Sequence, residues 1–154
     1  MPGLPRLDHE ARIFAVTLIC ITALRIVALI TTPLNLHGDE AQYWLWSREL
    51  ALGYFSKPPL VAWAIAATTA AFGDAEWAVR LTAPLAHGLG ALALFAVAQR
   101  AYGRTAGLWA GLGWLVMPGV TLSASVITTD ALMLPMCAVA LYCAWRLIET
   151  RSLG

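Results

Sequence analysis

Two acids stand side by side at Asp39 and Glu40, a lysine precedes two prolines at Lys57, and a third acid, Asp130, follows two threonines. A carboxylate can take the proton from an attacking hydroxyl or hold a cation, and a lysine can hold a phosphate as a compact point charge. One acid could then act as general base on an acceptor hydroxyl while another holds a divalent cation beside a phosphate. Each residue also has a plainer use. Asp39 follows Gly38 and has Gln42 three residues on, the pattern of a capping box. Asp130 follows Thr128 and Thr129 and precedes an apolar run, the place of a helix N-cap. Lys57 could be an ordinary lysine with its stem on apolar surface and its ammonium at the headgroups. Residue type and spacing leave both uses open at all three places.

The elements that must position these residues follow from composition. Of 154 residues, 60% are hydrophobic and 12% are charged, and soluble domains carry about 25% charge. So much apolar surface points to lipid as the solvent and to an all-α membrane protein. A net charge of +1 gives no electrostatic ground for binding nucleic acid. Cys20, Cys137 and Cys143 all fall inside apolar runs and read as small hydrophobes, not as a disulfide framework or a metal site. Arg6 and Arg12 precede an apolar run that continues to about Thr32 with no small-x-small cleavage site after it, so it reads as a retained signal-anchor helix.

Apolar stretches cover about 13–34, 58–72, 81–98, 105–127 and 131–148. The second is short for the roughly 20 residues that cross a bilayer, and it opens on Pro58 and Pro59. Cation placement decides whether it crosses. With the N-terminus in the cytoplasm and all five stretches spanning, Arg6, Arg12 and Arg80 lie inside against six outside, the reverse of the positive-inside rule. If 58–72 lies along or dips into the outer face, Arg6, Arg12, Arg100, Arg104, Arg146 and Arg151 become cytoplasmic against Arg48, Lys57 and Arg80 outside. The expectation is four spans, about 13–34, 81–98, 105–127 and 131–148, with an external interfacial segment over about 35–80. That segment carries Trp44, Trp46, Trp63, Trp77, Tyr43 and Tyr54, side chains that favour the headgroup level, and a short helix is expected from Asp39 to about Leu52. This topology brings Asp39, Glu40 and Asp130 to one surface, whereas five spans would put Asp130 opposite Asp39.

The motifs are recognisable in order. His37-Gly38-Asp39-Glu40-Ala41-Gln42-Tyr43-Trp44 follows the first span, then Gly53-Tyr54-Phe55-Ser56-Lys57-Pro58-Pro59-Leu60, Phe72-Gly73-Asp74 and Ala78-Val79-Arg80-Leu81, and finally Thr128-Thr129-Asp130. Over about residues 10–150 this resembles the family-39 glycosyltransferases of the GT-C fold, which include protein O-mannosyltransferases, lipid A aminoarabinose transferases and the RgtA/B/C/D-like enzymes. The resemblance implies GT-C-like N-terminal transmembrane helices of a longer enzyme. It implies sugar transfer from a polyprenyl-phosphate donor to a lipid, glycan or protein acceptor, at the external, periplasmic face of a bacterial-type plasma membrane. It assigns Asp39, Glu40 and Asp130 to catalysis, Lys57 with Tyr54 to the donor phosphate, and Asp39 with Glu40 to a possible divalent cation. Aminoarabinose transferases carry a metal-associated glutamate where this chain has Ser56, a departure from that pattern.

Two functions of different class follow. The first is the transferase, with this stretch expected to be inactive without an acceptor-binding domain. The second is a non-enzymatic four-helix membrane protein or transporter subunit using the acids as a proton or cation site. Transporters set such acids near the bilayer midplane, whereas these flank the spans at one face, which favours the enzyme.

Overall fold

A computed structural model describes residues 9–151, so Arg6 of the topology argument lies outside the described residues. Among the described residues all regular structure is helical: α1 (His9–Thr31), α2 (Gly38–Ser47), α3 (Leu60–Phe72), α4 (Glu76–Arg80), α5 (Thr82–Tyr102), α6 (Arg104–Val116), α7 (Pro118–Ser123) and α8 (Thr129–Arg151). Three helices are long and apolar enough to cross a membrane: α1, the nearly continuous α4–α5 rod Glu76–Tyr102, and α8. Apolar side chains all round them, such as Val16, Leu24 and Val27 of α1 and Leu141, Leu147 and Ile148 of α8, remain exposed to a lipid environment. The chain is an integral, all-α membrane protein.

α5 sits at the centre, against α1, α6 and α8. Small residues allow the close approach expected of helices in lipid. A Cβ at Gly90 would lie 3.2 Å from the Pro135 backbone of α8, and one at Gly111 of α6 would overlap the Phe14 ring of α1. Phe14 in turn stacks on Phe95 of α5, centroids 4.3 Å apart. A second cluster lies toward the α2 end, where Tyr43 packs with Val61, Ile65, Val79, Ile127 and Leu132.

Two elements differ from the sequence reading. The apolar stretch over 105–127 is not one helix but breaks at Met117–Pro118 into α6 and α7, because proline supplies no N–H and its ring clashes with the preceding turn. The helix expected to run to Leu52 stops at Ser47. There the amides of Arg48 and Glu49 fold back onto Leu45 and Trp46 in tight i→i−3 bonds, and the Tyr54 hydroxyl shares its proton between the Trp46 and Glu49 carbonyls.

Candidate functional site

Asp39 and Asp130 occupy equivalent places, the second residue of α2 and of α8. Neither acts as the cap that its sequence context allowed. His37 is the N-cap of α2, and its amide donates to Glu40 Oε2 at 3.0 Å. At α8 the Thr128 hydroxyl accepts from the Ala131 amide at 3.2 Å. With capping done by neighbours, Asp39 and Asp130 are both exposed, each in a first helical turn where the N-terminal partial charge accommodates an anion. They share one phenol as neighbour. Burial first, and then the negative charges of Asp39 and Asp130, push the Tyr43 hydroxyl above its ordinary value. Both carboxylates thus lie within electrostatic reach of Tyr43, on one face.

Glu40, adjacent in sequence, has the opposite environment. It is 1% exposed. Its Oε1 accepts from Arg80 Nε and from the Ile127 amide, both at 2.9 Å. Its Oε2 accepts from Arg80 Nη2 at 2.7 Å and from His37 N. Burial alone would raise this carboxyl. The hydrogen bonds from Arg80, His37 and Ile127 and the Arg80 charge outweigh it and hold the group below the ordinary glutamate value. Arg80 also donates to the Leu34 carbonyl at 3.1 Å and the Asn35 carbonyl at 2.9 Å. One buried ion pair therefore ties the turn after α1, the start of α2, the end of α4 and the approach to α8.

That geometry bears on the possible cation. Asp39 and Glu40 do not fit a metal pair, because both Glu40 oxygens are engaged by protein donors. Among the described residues no group of three or more His, Cys, Asp or Glu side chains gathers as a metal set. No step below is routed through a metal.

Lys57 ends a turn closed by the Tyr54 amide on the Lys57 carbonyl at 3.2 Å, with Pro58 and Pro59 fixing the backbone after it. It is half-buried at one end of an apolar groove of about 630 Å³ between α3 and α8. Leu60, Val61, Leu132, Met133 and Met136 line the groove, and Thr129, the neighbour of Asp130, stands on its wall. The structure brings Lys57 and the Asp130 region together on this groove. The Tyr54 hydroxyl is engaged by its own loop. It lies 3.0 Å from both the Trp46 and Glu49 carbonyls, sharing its one proton between them, and accepts from the Ala51 amide at 3.2 Å. It is a staple of the 48–57 loop.

Sequence reasoning used Arg80 as a topology charge and within a motif, and the structure makes it the partner of Glu40. A lone arginine beside an apolar run needs an acid or carbonyls, which is the signal that could have paired them. Arg25, deep in α1, has another kind of partner. Its Nη2 donates to the Leu115 carbonyl at 2.6 Å and to Thr121 Oγ1 at 3.2 Å. The α6–α7 break leaves that carbonyl without its helical donor. His87 of α5 lies beside it, Nε2 at 3.0 Å from Ser123 Oγ of α7.

Apolar helices long enough to span, with Lys57 and the acid-bearing start of α8 beside an apolar groove, define an integral membrane protein. Residues 56–154 match the dolichyl-phosphate-mannose-protein mannosyltransferase family, and the chain belongs to that family. It is 41% identical over 134 residues, 86% of its length, to the lipid A galacturonosyltransferase RgtD of Rhizobium johnstonii. The chain spans 28% of that relative's length. No solved structure matches it.

Proposed function

We propose that this chain is the N-terminal part of a glycosyltransferase that moves a sugar from a polyprenyl-phosphate carrier to an acceptor at the external face of the plasma membrane. The observation that carries the reading is the groove: a lysine at the end of an apolar channel, with an acid-bearing helix start on its wall, suits a lipid phosphate with its tail in the channel. The family supports the reaction type. The relative favours galacturonic acid as the sugar and lipid A as the acceptor.

In this reading Asp39 takes the acceptor hydroxyl's proton as the oxygen attacks the anomeric carbon and the lipid phosphate leaves. Lys57 offsets the charge on that phosphate. Asp130 orients the sugar or acceptor from the other helix start. Glu40 and Arg80 position both acids and touch no substrate. The accompanying topology has four crossing segments, with α6 and α7 together making the third and 35–80 lying outside.

Asp39→Asn is the decisive variant, because the cap of α2 belongs to His37 and not to Asp39. In the full-length enzyme, with polyprenyl-phosphate galacturonic acid as donor and lipid A as acceptor, turnover should fall by roughly two to four orders of magnitude. Thermal stability should be unchanged. Turnover equal to the parent would remove Asp39 from the mechanism. The topology has its own check. Cysteines replacing Ala75 and Ser125 should react with an impermeant thiol reagent outside intact cells, and one replacing Tyr102 should not; labelling at 102 without 125 overturns four spans.

A further inference from the structure

The loop joining α2 to α3 exposes what a water-facing loop would hide. Leu50 is 65% exposed, Leu52 88% and Phe55 101%. Three large apolar side chains within six residues are not scattered surface hydrophobes but a patch. The patch continues. Leu50 and Leu52 share a depression with Trp63 of α3, and one turn before Trp63 stands Leu60, which lines the α3–α8 groove with Met133 and Met136. It is therefore continuous with the apolar outer surface of α8, one of the helices fit to span.

Part of the polar backbone of this loop is bonded internally. Unsatisfied amides and carbonyls are costly in lipid. Here the Tyr54 hydroxyl bonds the Trp46 carbonyl, the Glu49 carbonyl and the Ala51 amide. Trp63 Nε1 donates to the Ala51 carbonyl at 3.0 Å, and the Tyr54 amide closes on the Lys57 carbonyl. These bonds turn the Ala51 amide and carbonyl and the Tyr54 amide inward, while Leu50, Leu52 and Phe55 project outward. Lys57 stands at its far end, suited to the phosphates of lipid headgroups, while Arg48 at its near end pairs with Asp74.

We propose that the 50–55 loop is a membrane anchor: Leu50, Leu52 and Phe55 insert among the acyl chains just below the headgroups of the bilayer that holds the spans. The occupant is lipid, not another protein, because the patch runs into the lipid-facing surface of α8 and ends two residues before Lys57. The anchor fixes the height of Lys57, two residues after Phe55, at the plane of the lipid phosphates. The inference needs only that the chain is embedded in a bilayer. Its failure would leave the proposed sugar transfer standing, and the converse also holds.

The test uses the full-length chain with its native cysteines replaced, reconstituted in vesicles of phosphatidylethanolamine and phosphatidylglycerol. A nitroxide is attached to Phe55→Cys, and in a second protein to Leu52→Cys, so that misfolding of one does not end the experiment. Collision with oxygen and with a water-soluble nickel chelate is read against doxyl phospholipids in the same vesicles and against Val27→Cys on α1. Both loop labels should favour oxygen, as the Val27 label does, at a depth just below the phosphates. Labels that collide mainly with the nickel chelate would overturn the anchor. So would labels shielded from both reagents, which would mean that protein covers the patch. Adding Phe55→Asp to the Leu52 label should shift it toward nickel by severalfold, and an unchanged ratio also overturns the proposal.

Discussion

Among the described residues two arginines are buried, and they are held in different ways. Arg80 faces Glu40 as a full ion pair, with two further carbonyls completing its bonds. Arg25 has no carboxylate among the described residues. It rests on one carbonyl and one hydroxyl, and its Nη1 is buried with no hydrogen bond. The carbonyl belongs to the last turn of α6, whose partial negative charge supplies what compensation there is. Charge against charge joins segments that must be fixed to each other, because removing one partner strands the other. Charge against a helix end joins segments through bonds that are individually weaker and do not titrate.

The largest test of that contrast removes one member of the pair. Glu40→Leu should destabilise the chain by about 3–5 kcal/mol, because a buried guanidinium is left uncompensated. Combining it with Arg80→Met should recover much of that loss, as measured by denaturant unfolding in detergent. A double variant as unstable as the single would mean that the amides of His37 and Ile127, not the charge, dominate. Arg25→Met should cost less, about 1–3 kcal/mol, since what it strands is one carbonyl. If it costs as much as Glu40→Leu, the two sites do not differ as described.

Acid separates them further. Glu40 has a depressed value in the fold, so its contribution is fully present above its ordinary value of 4.5 and is lost as pH falls through the lower folded value. Stability of the parent should therefore drop below about pH 4.5. The Glu40→Gln variant, already weakened, should lose less over the same window. The smallest effect belongs to the exposed pair. Arg48 and Asp74 meet at 2.9 Å with about half of each side chain in solvent, at 53% and 47%. Asp74→Asn should change stability by no more than about 1 kcal/mol, and a larger change would mark that corner as structural.

The long apolar helices were legible because hydrophobic run length is a direct signal for lipid-embedded helices, and α1, α5 and α8 fall where the runs are. Pro118 announced the break in 105–127, but apolar composition on both sides masked it. The family was legible from motif order. The division of labour between Asp39 and Glu40 was not. Adjacent residues on a helix point about 100° apart, and which of them meets Arg80 depends on a partner 40 residues away. The cap alternatives stayed open for a related reason: His37 and Thr128 compete with the neighbouring aspartates, and only backbone conformation decides which oxygen or amide is in reach. Tyr54 lies in the same short motif as Lys57, yet its hydroxyl is turned to its own loop by backbone groups that sequence does not reveal.

The Glu40 clamp also sets an order of assembly. Its carboxylate is made 40 residues before Arg80 and 87 before the Ile127 amide. At a synthesis rate of about 5–20 residues per second, the glutamate waits roughly 4–17 s for its last donor. During that interval it is a solvated acid next to a newly inserted span, and α2 lacks the anchor that orients it. The face carrying Asp39 and Asp130 therefore cannot form piecemeal as helices emerge. It closes when the segment behind α7 arrives, so a delay in delivering that segment prolongs the life of an open, unpaired intermediate.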